Sequence, residues 1–137
     1  MDPIRKLNER GAVAAEFALL LPVLLMILLG TIEFGMIMYS RELITNASRE
    51  GARAGIIQVS PKPTTGQITT IATTYLTNTG INPADVTITV TGAGGASPAT
   101  LTVATTYRYP WLIPYIPTLL GLPRPLPLTG QTIMRHE

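Results

Sequence analysis

Three residues near the N-terminus have the types and spacing to do chemistry together: Gly11, Ala12 and Glu16. Glu16 is a carboxylate set against sixteen uncharged residues, Phe17 to Ile32. An ionised side chain in such a run costs about 2.5–3.5 kcal/mol near the centre of a membrane helix. A plain anchor would use a neutral residue there, so Glu16 points to a compensating cation. If the chain is cut after Gly11, Ala12 gains a free α-amine with a reference pKa of about 7.7–8.0, mostly protonated at neutral pH. Cleavage would thus create, four residues upstream, the counter-ion that Glu16 lacks. Glycine suits the cut, because it has no side chain to obstruct a protease pocket. A second carboxylate, Glu33, lies at the far end of the run, where it is expected to reach water and tolerate replacement.

The apolar run that positions these groups has three readings. It is too long for a secretory signal peptide and has no small-x-small cleavage site at its far end. The roughly 80 residues that remain are too few to surround it as a core helix. A membrane span fits best, since Ala12–Ala15 extend the run to about twenty residues. Arg5, Lys6 and Arg10 precede it and Arg41, Arg49 and Arg53 follow it, so basic residues do not orient it. The expected organisation is a basic leader at 1–11, a transmembrane helix at 12–39 and its outer extension at 40–59. A small α+β domain should fill 60–137.

A short basic leader ending in Gly11, with Glu16 fifth in an apolar segment, resembles the class III signal of type IV pilins and pseudopilins. More narrowly, Arg10-Gly-Ala-Val-Ala-Ala-Glu-Phe-Ala-Leu-Leu-Leu-Pro, continuing to Ile32-Glu33-Phe34-Gly35, is similar to the TadE family of minor pseudopilins in tight-adherence (Tad/Flp) pilus systems. The stretch Ala47 to Gly55 and the terminal Met134-Arg-His-Glu137 fit as well, and the strong resemblance covers about residues 10–57. It implies a pilin-like fold in the bacterial inner membrane, N-terminus in the cytoplasm and C-terminal domain outside. It also implies a prepilin peptidase that cuts between Gly11 and Ala12, and other pseudopilins or pilin subunits as neighbours. An inner-membrane assembly platform with its ATPase would be the machinery. A low-copy role in assembly or initiation follows, because major Flp pilins are much shorter chains.

Between Ala12 and Ile57 only Pro22 and scattered glycines oppose one long helix of about 45 residues, about 68 Å at 1.5 Å per residue. Pro22 removes a backbone donor and should bend or loosen one turn. Beyond Ser40, Ala47, Gly51 and Gly55 recur every four residues as a ridge without bulk, where another backbone can approach closely. That ridge packs either on the protein's own sheet or on a neighbouring subunit. Ser60-Pro-Lys-Pro63 should end the helix. Ile68, Ile71, Ala72, Tyr75 and Leu76 fall on one face of a second, short helix, with Gly80 as its C-cap. Val86–Val90, Thr100–Tyr109 and about Leu126–Arg135 predict a three-stranded antiparallel sheet. The fold class is therefore α+β, a long N-terminal helix followed by a short helix and a small sheet.

Pro110–Pro127 holds six of the twelve prolines together with Trp111, Tyr115 and many aliphatic residues. It is either a lid over the outer core or an exposed apolar patch that meets a partner or membrane lipid, a setting suited to Trp111 and Tyr115. The chain has no Cys, which excludes disulfides and thiolate metal sites, and a net charge of +2 with no large basic cluster argues against nucleic acid. His136, the one histidine, reads as a solvated tail residue. No nucleophile–base pair, carboxylate pair, metal cluster or phosphate loop is legible, so no catalytic residue or cofactor is expected. Besides the pseudopilin reading stand an uncleaved single-pass envelope scaffold or binding protein, and an adhesin-like domain hinted at by the threonine-rich sheet. Neither of these needs Gly11 or Glu16.

Overall fold

The computed structural model describes the backbone of residues 3–136 and the side chains of residues 11–136. Two compact units emerge, Met1–Gly35 and Met36–Glu137. Helix α1, Pro3–Gly55, supplies all of the described first unit and opens the second. Its most apolar window is wholly unburied within the chain, and the helix is long and apolar enough to serve as a membrane anchor. Pro22 lies inside α1 without interrupting it.

The second unit adds helix α2 (Thr65–Asn78), a 3-10 turn at Pro83–Asp85, strands β1 (Val86–Thr91) and β2 (Thr100–Tyr109), helix α3 (Tyr115–Leu120) and strand β3 (Leu126–Arg135). The sheet is antiparallel in the order β1-β2-β3, with Val86 opposite Tyr107 and Thr100 opposite Arg135. The fold is α+β with three strands, as the change of period from 3.6 to 2 predicts.

Local chemistry explains each boundary. Thr64 caps α2 through a reciprocal box with Gln67, whose side chain accepts from the Thr64 N–H at 2.9 Å. At the other end Ile81 N–H donates to Leu76 O at 3.0 Å and Gly80 N–H to Thr77 O at 3.1 Å. That is the Schellman pattern, and Gly80 supplies the positive φ it requires. Ile81 then packs with Leu76 in the core. The face read from sequence buries Ile68, Ala72 and Leu76 between α1 and the sheet, while Ile71, at the edge of the apolar arc, stays exposed. Helix α1 stops at Gly55, earlier than Ser60-Pro-Lys-Pro63.

Two core clusters sit under the sheet. One joins Leu43, Ile44 and Ala47 of α1 to Leu76, Tyr107, Tyr109 and Leu128, with Ile37 and Leu126 packed against it. The other joins Ala52 to Ile68, Leu101 and Val103. The sheet thus runs along the C-terminal part of α1, with Tyr109 and Leu126 at the Ile37 end and Leu101 at the Gly55 end. Thr105, fully buried on the central strand, has a hydroxyl without a hydrogen-bond partner.

His136 departs from expectation. It is buried at 4 % exposure, its Nε2–H donates to Gly92 O at 3.0 Å, and its backbone N–H donates to Ala99 O at 2.9 Å. Lys62 Nζ donates to Gly95 O of the same turn at 2.6 Å. A single polar residue beside a terminus looks solvated in sequence, but here it ties that terminus to the β1–β2 turn.

Candidate functional site

Gly11, Ala12 and Glu16 are all exposed on α1, and a Cβ built at Gly11 would meet nothing within 4 Å. The spacing i, i+4 puts Ala12 and Glu16 on one helix face, about 6 Å apart along the axis. Glu33 differs from its expected solvated setting: it is buried at 2 % exposure. A carboxylate held in this way is no neutral control for Glu16, because changing a buried, engaged side chain disturbs its surroundings.

In the second unit the small-residue ridge is covered by the protein's own elements. A Cβ at Gly51 would stand 3.3 Å from the Ala72 Cβ and 3.5 Å from Val103, and one at Gly55 would meet the side chains of Leu101 and Ile68. Ala47 is fully buried in the first cluster. Of the two readings of the ridge, the geometry is that of intramolecular packing. Arg49, Glu50 and Arg53 remain exposed on the other side of the helix. Gly55→Leu is accordingly expected to destabilise the second unit, since overpacking costs about 1–3 kcal/mol. Thermal unfolding of the full chain in detergent checks this, and an unchanged transition would contradict the packing.

Sequence reasoning missed one glycine that matters more. A Cβ at Gly130 would lie 2.9 Å from both the Thr45 Cα and the Thr45 backbone nitrogen and 3.0 Å from the Ile44 carbonyl carbon. Here β3 crosses the backbone of α1 at a distance only glycine permits. Ser48 reinforces the crossing. Its hydroxyl donates to Thr45 O at 2.7 Å, which leaves the Thr132 hydroxyl to donate to Ser48 Oγ at 2.7 Å. An isolated glycine inside a strand pattern was the available signal.

The proline-rich segment is anchored at its base and open at its tip. Trp111 stacks edge-on against Tyr109, which stacks edge-on against Tyr107, with centroids 6.3 and 6.2 Å apart. The indole N–H of Trp111 donates to Pro123 O at 2.9 Å, closing the loop. Pro117 is buried, whereas Leu112, Tyr115, Leu119 and Leu120 are exposed. The tip of the loop therefore presents an exposed apolar patch, while its base covers Tyr109. Burial first, and the nearby Asp85 charge second, raise the Tyr107 pKa above its usual value. Neutral Tyr107 thus contributes stability that is complete below about pH 10 and lost as pH rises through the folded-state pKa.

Among the described residues no cluster of three or more His, Cys, Asp or Glu side chains could hold a metal ion. The distinctive chemistry lies in the exposed Gly11–Ala12 bond, Glu16 and the apolar helix that carries them. Residues 11–53 match the family model of the TadE-like proteins. This segment is TadE-like. The match opens at Gly11 and takes in Glu16, the whole apolar run and most of the helix that packs under the sheet. Comparison with curated proteins and with solved structures gives no significant match. The α2, sheet and loop region lies outside the TadE-like segment.

Proposed function

We propose that this chain is a non-enzymatic minor pseudopilin that takes part in assembling or initiating a Tad/Flp pilus. In this reading it waits in the bacterial inner membrane with its N-terminus in the cytoplasm and residues 60–137 outside. A prepilin peptidase cuts it after Gly11. The new Ala12 amine then pairs with Glu16 of a neighbouring pseudopilin or pilin subunit, and the inner-membrane platform lifts the subunit from the bilayer. Exchanging lipid contacts for protein contacts gains little hydrophobic energy, so packing and charge pairing must drive association.

The single observation that carries this reading is the TadE-like match beginning at Gly11, on a helix where Gly11 and Glu16 are both exposed. An uncleaved scaffold would need neither residue. Co-purification of the tagged chain with pilin subunits from pilus-producing cells tests the role. The wild-type chain is expected to bring them down, and Gly11→Leu to remain inserted, unprocessed and alone. A Gly11→Leu chain that still recovers those subunits in wild-type amounts would return the protein to the scaffold class.

A further inference from the structure

The exposed apolar loop lies at one particular end of the outer unit. Tyr109 and Leu126, the strand residues that flank it, pack in the cluster that includes Leu43 and Ile37. Further along, Gly130 crosses Thr45 and Thr132 bonds Ser48. Moving along β3 away from the loop is thus moving along α1 away from Met36. The loop therefore projects from the end at which the chain enters this unit from its apolar run. At the same end Met36, Met38 and Tyr39 are exposed on α1.

The chemistry of the loop matches that location. Tyr115 is 82 % and Leu119 68 % exposed, and Leu112 and Leu120 accompany them. The Trp111 bond to Pro123 and the αL turn at Gly121 fix the loop in this form, so the display is built and not a collapsed tail. From Val86 to His136 the chain carries no carboxylate, and Arg108 and Arg124, both exposed, stand at the shoulders of the loop, with Asp85, whose charge reaches Tyr107, on the Arg108 side. Exposed leucines and Tyr115, with a half-buried Trp111 at their base and Arg124 on the shoulder, suit the boundary between acyl chains and anionic headgroups.

We propose that the Trp111–Leu122 loop docks on the surface of the membrane that the chain's own apolar helix spans, with anionic phospholipid as its partner. This rests on the membrane-span reading of residues 12–39. Docking fixes the outer unit against the bilayer before assembly, and extraction of the subunit must release it.

The chain supplies its own probe, since Trp111 is its only tryptophan and it has no cysteine. The full chain is reconstituted into phosphatidylethanolamine–phosphatidylglycerol vesicles, with or without bromine placed high on the acyl chains. A docked loop sits about 5–10 Å into the headgroup boundary, so Trp111 emission is expected to fall by about half or more with the brominated lipid. An environment-sensitive label on Leu119→Cys should shift to the blue, while one on Ala96→Cys, in the β1–β2 turn, should not. A chain that floats with the vesicles while Trp111 and the Leu119→Cys label stay in water overturns the docking and leaves the anchor standing. A chain that does not float overturns both. Shielding of the Leu119→Cys label only after purified pilin subunits are added would give the patch to a protein partner and overturn the lipid assignment.

Discussion

Glu16→Gln is expected to insert and to be cleaved after Gly11, yet to lose co-purification with neighbouring subunits by about 100-fold or more. Insertion should be unimpaired, because replacing the carboxylate removes the most costly group at the edge of the span. Cleavage should be unimpaired, because Gly11 and Ala12 stay exposed on the same helix. What is lost is the partner of the Ala12 amine, and stranding one member of a buried ion pair costs about 3–5 kcal/mol, where 1.4 kcal/mol is tenfold in affinity. The comparison variant is Glu42→Gln, which changes an exposed carboxylate on the outer part of α1. Glu33 cannot serve, since it is buried. Quantitative pull-down of the two variants beside wild type decides it. Undiminished recovery with Glu16→Gln would remove charge pairing as the basis of assembly.

Gly130→Ala carries the largest expected effect on stability. Its new methyl would meet backbone atoms of Ile44 and Thr45, which cannot swing aside as a side-chain end can. Either β3 or the outer part of α1 must move, straining the Ser48–Thr132 bond and the contact of Leu128 with Leu43 and Ile44. Strain of this kind costs about 1–3 kcal/mol, which lowers the melting temperature of a domain this size by roughly 5–15 °C. Far-ultraviolet circular dichroism of the full chain in detergent, followed with temperature, measures it. A transition within a degree or two of wild type would show that α1 and β3 are not in close contact at this point.

Much of the fold was legible because its signals are local and periodic. The threonine–aliphatic alternation of β1 and β2, the limits of β3, and the apolar positions of α2 each follow from a repeat within ten or so residues. The Gly11–Glu16 spacing is local too, and the family match begins at Gly11. What escaped depended on contacts between distant segments. Gly130 looks like any strand glycine until Thr45 is brought beside it, eighty-odd residues away in sequence. His136 looks solvated until the turn from Gly92 to Ala99 folds back over it. The burial of Glu33 has no local signature either, since its neighbours in sequence read as the end of a span. The ridge at Ala47, Gly51 and Gly55 was visible, but which surface fills it was not. Small residues announce a close approach and say nothing of whose backbone makes it.

The identity of the first residue of the membrane-extracted chain tests the central claim most directly. Intact-mass and N-terminal peptide measurements would be made on protein from cells with an active prepilin peptidase and from cells lacking it. The expected result is a mature chain that begins at Ala12 in the first and retains Met1 to Gly11 in the second. A chain that keeps its leader in both would contradict the cleavage that supplies Glu16 with its cation.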